Sequence, residues 1–148
     1  TFPLASPQPR REHKRGSPRK ASVLLIDDES DNLEVLEELL TMEGHRVDTA
    51  TSGRAAVERF QRGERYDLVL CDVGMPQMSG WQVVREIRRL APSARIWLLT
   101  GWANEISEHD PRLADVQGVL GKPLDLDELR SLLAEPQGPT PTERHATA

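Results

Sequence analysis

The sequence predicts an α/β domain whose parallel sheet is covered by helices on both faces. Between residues 21 and 135, short apolar runs alternate five times with segments of helical periodicity, and such alternation is typical of doubly wound sheets. Each run has the length and apolar content of a strand buried on both faces. Acidic, hydroxyl or lysine residues follow four of these runs, which indicates a polar site at one edge of the sheet.

The first two helices are delimited by glycine and by a serine cap. After the strand that ends at Ile26, a leucine stripe predicts a helix that stops at Gly44, since glycine readily adopts the left-handed conformation at a helix end. Residues 46–50 are predicted to form a short second strand. Ser52 is expected to cap the second helix, which closes at Gly63.

The second half of the domain repeats this order with one weak element. The third strand leads to Asp72, and Ser79 opens a capping-box pattern at the start of the third helix. The fourth strand ends at Thr100. Pro111 interrupts the next segment, so we expect a short or irregular helix there. A last strand at 118–120 precedes a helix with capping acids at its start.

Size and composition are those of a single globular domain. The chain has 148 residues, of which 37% are hydrophobic, enough to bury one proper core. No apolar stretch approaches the roughly 18 residues that a membrane span requires, and no signal peptide is recognisable. The lone Cys71 is expected to be a small core residue and suits a reducing compartment. We therefore expect a cytoplasmic location, although a parent protein can carry a membrane anchor.

Charge separates the start of the chain from the rest. Residues 1–20 carry six basic residues against one acidic residue, a net of +5, which leaves −10 for residues 21–148. We interpret residues 1–20 as a basic, proline-rich linker. Residues 21–135 are predicted to fold, and residues 136–148 to form a disordered end. An acidic folded part is not expected to bind nucleic acid.

Five polar residues at the predicted strand ends converge on one patch. Asp27 and Asp28 follow the first strand, and Asp72, Thr100 and Lys122 close the third, fourth and fifth. Because the carboxyl ends of parallel strands share one edge of a sheet, these side chains are expected to meet there. Three carboxylates repel one another unless a cation lies among them. The patch is therefore predicted to be a metal-assisted phosphate site.

Four motifs in this order resemble the receiver domain of two-component response regulators. They are VLLIDDES at residues 23–30, CDVGMPQMSG at 71–80, LLTG at 98–101 and GKPLDLDEL at 121–129. A strand that ends in aspartate is common, but all four motifs in an alternating α/β context are specific, and they span nearly the whole folded part. The resemblance implies a flavodoxin-like (βα)5 fold, a five-stranded parallel sheet with strand order 2-1-3-4-5.

The resemblance also implies that Asp72 is the phosphoacceptor and that Mg²⁺ is the cofactor. Asp28 matches the acid that binds Mg²⁺ directly, and Asp27 matches the neighbour that orients the metal. In the family, the backbone carbonyl two residues after the phosphoacceptor completes the protein ligands, and here that residue is Gly74. Mg²⁺ prefers an oxygen shell of this kind.

Thr100 and Lys122 match the family residues that bind the other phosphoryl oxygens. Lys122-Pro123 resembles the family's Lys-Pro step, which is often cis. By this resemblance the chain takes a phosphoryl group from the phosphohistidine of a histidine kinase or a histidine phosphotransfer domain, and a downstream phosphorelay protein is a further partner. Such a domain catalyses its own phosphorylation and dephosphorylation without being a turnover enzyme.

Three positions bear on how the site responds. Many receivers carry Phe or Tyr three residues before the lysine, where this chain has Val119, so we expect the usual coupling between threonine and aromatic ring to be altered. Gly74 offers a carbonyl but no side chain to the site. Trp102 is large enough to lie over the phosphoryl pocket, although a partly buried loop position explains it equally well.

The remaining polar residues of interest are not expected to take part in the chemistry. Ser79 and Gly80 are interpreted as capping and turn residues. All four histidines are expected to be solvated side chains, because they lie in no clustered spacing: His13, His45, His109 and His145. None resembles a kinase's phosphodonor histidine, so the chain is expected to receive phosphate and not to start the relay.

Two other functions stay open. A degenerate receiver that acts only as a protein-binding module is conceivable because of Val119, although all five site positions are intact. An aspartate-nucleophile phosphohydrolase of the haloacid dehalogenase type also uses Asp, Thr and Lys at strand ends. Such enzymes carry a DxD pattern, whereas Asp72 is followed by Val73 and Gly74, and the chain lacks a cap domain, so this reading is disfavoured.

The segments outside the folded part favour a hybrid histidine kinase as the parent protein. The opening TFPLA resembles the last strand of a histidine-kinase ATP-binding domain, and the chain does not begin with Met. No DNA-binding domain is recognisable after residue 135. We therefore expect the C-terminal receiver of a hybrid kinase, with a stand-alone regulator as the alternative.

Overall fold

A computed structural model describes residues 20–101 and 106–134. The strands in these ranges are β1 (Ser22–Ile26), β2 (Arg46–Ala50), β3 (Leu68–Asp72), β4 (Ile96–Thr100) and β5 (Gly118–Gly121). They form one parallel sheet in the order β2-β1-β3-β4-β5. The helices are α1 (Ser30–Met42), α2 (Gly53–Gln61), α3 (Gly80–Leu90), a 3-10 helix (Pro111–Asp115) and α4 (Leu126–Ala134). The predicted flavodoxin-like strand order is confirmed.

The sheet separates two apolar cores. Helices α2 and α3 cover one face, where Phe60 and Ile87 share a core with Cys71. Helices α1 and α4 cover the other face, where Leu33 and Leu129 pack against leucines of β1 and β3. Burial on both faces explains why β1, β3 and β4 are almost continuously apolar, whereas the edge strand β2 is more polar and less buried. Cys71 is fully buried, and burial raises the pKa of its thiol, so this residue is a core hydrophobe as predicted.

Helix boundaries follow the predicted caps. The Ser52 hydroxyl accepts a hydrogen bond from the backbone N–H of Ala55 at 3.1 Å. At the start of α3, the Ser79 hydroxyl accepts from the Gln82 N–H at 3.4 Å, and the Gln82 side chain accepts from the Ser79 N–H at 2.8 Å. This is the predicted capping box. Gly44, just past the end of α1, has a φ of +96°, the left-handed conformation that favours glycine.

The fourth helical segment is a short 3-10 helix, as its proline predicted. Asp110 caps it by accepting from the backbone N–H of Arg112 at 2.9 Å. The Arg112 guanidinium lies over the Trp81 ring of α3, 4.1 Å from its centroid. Arg88 of α3 donates to the last carbonyl of the 3-10 helix at 2.6 Å. These contacts fasten the 3-10 helix to α3, and Trp81 is half-buried beneath it.

The expectation that every histidine is solvated is wrong for His45. Its side chain is buried, and its Nδ1 accepts a hydrogen bond from the backbone N–H of Ala21 at 3.0 Å. Burial lowers the pKa of His45, so the ring is held in its neutral form. His109 is exposed as expected, whereas His13 and His145 lie outside the described residues.

The ends of the chain are described only in part. The predicted linker, residues 1–20, and the predicted C-terminal end, residues 136–148, lie outside the described residues except for Lys20. All the described helices and strands fall within the predicted folded range, 21–135. None of these helices is long and apolar enough to cross a membrane.

Candidate phosphoryl and metal site

The carboxyl edge of the sheet brings the predicted polar residues together. Strands β3 and β4 end at Asp72 and Thr100 themselves, whereas Asp27 follows β1 directly and Lys122 follows β5 directly. An open cleft of about 230 Å³ lies at this edge, lined by Asp28, Glu29, Asp72, Gly74, Thr100, Gly101 and Lys122. The cleft lies where parallel α/β sheets usually bind their ligands.

Three carboxylates form the acidic centre of the site. Asp27, Asp28 and Asp72 each offer an oxygen that lies within 4.8 Å of the others. Asp27 and Asp72 are only 6% and 5% exposed, whereas Asp28 is open to solvent. Burial, together with the charge of Asp72, raises the pKa of Asp27 against the opposing hydrogen bond from the Glu29 N–H. Removal from water and proximity to Asp72 thus both disfavour the charged form of Asp27, and removal from water is the larger cause.

Lys122 supplies the only ammonium among the residues that line the cleft in the described part of the chain. Its Nζ lies 2.6 Å from Asp72 Oδ1 and 3.8 Å from Asp27 Oδ2. Burial works to lower the pKa of Lys122, but the hydrogen bond to Asp72 and the surrounding carboxylates outweigh it, and the pKa is raised. The side chain therefore stays charged at neutral pH. The peptide bond between Lys122 and Pro123 is cis, as the family resemblance implied.

The donor set fits a hard divalent cation. Asp27, Asp28 and Asp72 offer carboxylate oxygens within 4.8 Å of one another, and Gly74 lines the cleft with its backbone. Mg²⁺ takes oxygen ligands and keeps several waters, so a site with an exposed side suits it. No nitrogen or sulfur ligand belongs to the described cluster, which disfavours zinc.

Backbone packing holds the phosphoacceptor strand against α3. The N–H of Gly80, the first residue of α3, donates to the carbonyl of Val73 at 2.9 Å. A Cβ on Gly80 would lie 2.5 Å from the carbonyl oxygen of Asp72. Only glycine permits so close an approach. Gly80, which the sequence indicated only as a turn residue, therefore helps to position Asp72.

Glu29 was not among the predicted site residues. It follows Asp28 directly and is among the residues that line the cleft. Asn32, one turn further along α1, donates from Nδ2 to Glu29 Oε1 at 2.6 Å. The one indication of a role for Glu29 in the sequence was its position directly after the predicted metal ligands Asp27 and Asp28. Adjacency in sequence alone does not show that a residue lines the same site.

The predicted departures from the family pattern are described in part. Val119 is half-buried and packs against the core on the α2 and α3 face. Gly74 lines the cleft. Trp102 lies outside the described residues, so its predicted position over the phosphoryl pocket stays a prediction.

Residues 23–134 match the response regulator receiver domain family. This match covers most of the chain and all five strands except the first residue of β1. The chain therefore belongs to the receiver domain family, as its four motifs indicated.

Curated relatives of two kinds are similar to this chain. The transcriptional regulatory protein ZraR of Klebsiella oxytoca is 32% identical over 119 residues, which cover 80% of this chain and 27% of ZraR. The sensor protein EvgS of Escherichia coli K12 is 33% identical over 132 residues, which cover 89% of this chain and 11% of EvgS. The chain thus spans about a quarter or less of the length of these relatives.

Solved receiver structures share the fold at similar identity. TrrA of Thermotoga maritima, solved in complex with Mg²⁺-BeF, is 36% identical with a TM-score of 0.66, over 74% of this chain and 93% of TrrA. TrrA has also been solved in complex with the histidine kinase ThkA. The receiver domain of the sensor histidine kinase PA1611 of Pseudomonas aeruginosa PAO1, with a magnesium ion in its active-site cleft, is 31% identical. Its TM-score is 0.68, over 77% of this chain and 94% of that one.

Proposed function

We propose that this chain is the phosphoacceptor of a two-component phosphorelay and that Asp72 receives the phosphoryl group. The observation that carries the proposal is the approach of three carboxylates, including Asp72, to within 4.8 Å of one another, with the Lys122 ammonium 2.6 Å from Asp72. A merely structural role does not explain this cluster, because three such carboxylates with one cation repel one another. A site that holds a divalent cation and a phosphoryl group needs this arrangement.

Mg²⁺ is the proposed cofactor, held by Asp27, Asp28, Asp72 and the backbone carbonyl of Gly74. Two similar receivers, TrrA and that of PA1611, were solved with Mg²⁺, which supports the assignment. When bound, the cation neutralises charge on the carboxylates and on the phosphoryl oxygens.

The proposed reaction moves a phosphoryl group from nitrogen to oxygen. A carboxylate oxygen of Asp72 attacks the phosphorus of the donor phosphohistidine. The phosphorus–nitrogen bond breaks, and its electron pair returns to the imidazole nitrogen of the donor. The products are an aspartyl phosphate on Asp72 and a free histidine on the donor. Later attack by water releases inorganic phosphate and restores the carboxylate.

Lys122 and Thr100 are proposed to hold the phosphoryl oxygens that the cation does not reach. The Lys122 ammonium already contacts the Asp72 carboxylate that attacks. It is therefore placed to neutralise the negative charge of the phosphoryl group that Asp72 receives. Thr100 is buried at the end of β4 and lines the cleft, where its hydroxyl can donate. Both residues act by positioning and charge neutralisation, which are the main demands of phosphoryl transfer.

We further infer that the donor is a histidine kinase or a histidine phosphotransfer domain and that the parent protein is a hybrid histidine kinase. The complex of TrrA with ThkA supports the class of donor. The similarity to the sensor protein EvgS and to the receiver of PA1611 supports the hybrid context, whereas the similarity to ZraR favours a response regulator with an output domain. The free, buried Cys71 suits a cytoplasmic location. The sequence of the encoding gene around this segment distinguishes a hybrid kinase from a response regulator with an output domain.

Incubation with phosphoramidate and Mg²⁺, followed by intact-protein mass measurement, tests the proposed function. Phosphoramidate carries the same phosphorus–nitrogen bond as phosphohistidine. We expect one phosphoryl adduct on the wild type, none on Asp72→Asn and none after removal of Mg²⁺ with EDTA. Asp127→Asn is the matched control, because its side chain is exposed on α4, and we expect it to be labelled normally. A wild-type protein that folds but accepts no phosphoryl group would instead favour a receiver that serves only as a binding module.

A further inference from the structure

Glu29 occupies the N-cap position of α1 without capping it. Its side chain accepts no hydrogen bond from a backbone N–H of the first turn. Glu29 is among the residues that line the cleft, together with Asp28 and Lys122. Glu29 therefore adds a fourth acidic residue to the surroundings of the acidic centre.

Two hydrogen bonds restrain Glu29. Its backbone N–H donates to Asp27 Oδ1 at 2.9 Å, which ties the residue to a buried acid of the site. Asn32 Nδ2 donates to Glu29 Oε1 at 2.6 Å, which ties down the carboxylate itself. These bonds restrain both the backbone and the side chain of this residue at the start of α1.

The charge of Glu29 acts on the site through space. Glu29 lines the same cleft as Asp72 and Lys122, so its charge contributes to the electrostatic potential there. In the described residues, four carboxylates and one ammonium face this region, a formal net charge of −3. A divalent cation reduces the net charge to −1, so an incoming phosphodonor still meets a negative field.

We propose that Glu29 is an electrostatic positioning residue that strengthens Mg²⁺ binding and slows phosphorylation by small anionic donors. The inference rests on the proposed function of Asp72 and extends it to the choice of donor. A small phosphodonor brings its own negative charge and meets the full repulsion of Glu29. A phosphohistidine carried by a protein is delivered by the docking of two surfaces, so the binding energy of the partner offsets that repulsion. Glu29 thereby favours a protein donor over a small molecule.

Glu29→Gln tests the proposal by removing the charge while keeping a similar side-chain shape. We expect the variant to bind Mg²⁺ about three- to fivefold more weakly in isothermal titration calorimetry, since one nearby negative charge is lost. At saturating Mg²⁺ we expect acetyl phosphate to label it about three- to fivefold faster, since the same charge no longer repels the donor. Both differences should shrink in 1 M salt, where the Debye length is about 3 Å.

Glu34→Gln is the matched control, because Glu34 is an exposed acid of α1 that does not line the cleft. We expect it to change neither the Mg²⁺ affinity nor the labelling rate. Asn32→Ala keeps the charge of Glu29 but releases its carboxylate, and we expect it to shift both quantities in the same direction as Glu29→Gln but less.

The opposite results would overturn the inference. If Glu29 only stabilises the N-terminus of α1, Glu29→Gln changes the melting temperature but leaves the Mg²⁺ affinity and the salt-dependent labelling rate unchanged. Slower labelling at saturating Mg²⁺ would also contradict it. The calorimetric result does not depend on phosphorylation, so it tests Glu29 even if the wild type accepts no phosphoryl group and the proposed function of Asp72 fails.

Discussion

Replacement of Gly80 by alanine is expected to disturb the phosphoacceptor without altering any polar group of the cleft. A Cβ on Gly80 would lie 2.5 Å from the carbonyl oxygen of Asp72 and 2.8 Å from the Cα of Val73. Both neighbours are backbone atoms, so no change of rotamer relieves the overlap. Helix α3 must move away from the end of β3, and the hydrogen bond from Gly80 to Val73, now 2.9 Å, must lengthen.

Two effects of opposite sign determine how much Gly80→Ala changes the free energy of unfolding. Overpacking of this kind destabilises a protein by about 1–3 kcal/mol. Alanine is a better helix former than glycine by at most about 1 kcal/mol, and Gly80 stands at the first position of α3, where the gain is smaller. We therefore expect a net loss of about 1–2 kcal/mol in the free energy of unfolding, which lowers the Tm by roughly 3–10 °C for a domain of this size.

Thermal unfolding followed by circular dichroism measures the loss, and phosphoramidate labelling measures its effect on Asp72. We expect a lower Tm and slower labelling for Gly80→Ala. Gly101→Ala is the matched control for stability, because no atom of the described residues lies within 4 Å of the Cβ it would carry. A Gly80→Ala protein with wild-type Tm and labelling rate would refute the role of α3 in holding the end of β3 in place.

Four further predictions address the metal, pH, packing and phosphoryl lifetime. Asp28→Ala should greatly weaken Mg²⁺ binding in calorimetry, because a carboxylate ligand is lost. Without Mg²⁺ its free energy of unfolding should equal or exceed that of the wild type, because one repelling carboxylate is removed. An unchanged Mg²⁺ affinity would show that Asp28 is not a metal ligand. Burial lowers the pKa of His45 below its ordinary value of 6.5. As the pH falls, the unfolded chain therefore binds a proton at this residue before the folded protein does. The stability that neutral His45 contributes is complete above about pH 6.5 and is lost as the pH falls below that value. Urea unfolding of the wild type and of His45→Gln should therefore differ more at pH 7.5 than at pH 5.5, and parallel pH profiles would contradict the assignment. Gly118→Ala would place a Cβ 2.4 Å from the rigid ring of Trp97 and should lower the unfolding free energy by about 1–3 kcal/mol in urea titration, and an unaltered midpoint would speak against this packing. On the sequence alone, Trp102→Ala should shorten the lifetime of the phosphorylated protein several-fold, because water is no longer excluded; an unchanged dephosphorylation rate would favour a loop role for Trp102.

Much of the site was predictable because its residues stand at the ends of apolar strands. Asp27, Asp72, Thr100 and Lys122 each follow a run of strand length, and parallel topology brings such positions together whatever lies between them. The capping box at Ser79 was predictable for a similar reason, since it depends only on residues three positions apart. Local patterns of this kind can be recognised in the sequence because they do not depend on contacts between distant segments.

The features that the sequence did not reveal depend on contacts between distant segments or on side-chain direction. The burial of His45 depends on a hydrogen bond to Ala21, which lies 24 residues earlier. The role of Gly80 depends on the approach of α3 to the backbone of Asp72, a distance that no periodicity encodes. Glu29 lines the cleft and accepts a hydrogen bond from Asn32, and its place in the sequence indicates neither contact.

The chemical nature of the phosphoryl adduct tests the central claim most directly. An aspartyl phosphate is an acyl phosphate, which hydroxylamine cleaves, whereas phosphate esters of serine, threonine and tyrosine resist it. The measurement is the intact mass of the Mg²⁺- and phosphoramidate-treated protein before and after hydroxylamine, with peptide mapping of the treated site. We expect a single adduct that hydroxylamine removes and that maps to the peptide containing Asp72. An adduct that survives hydroxylamine, or that maps to a peptide without Asp72, would contradict the assignment of the phosphoacceptor.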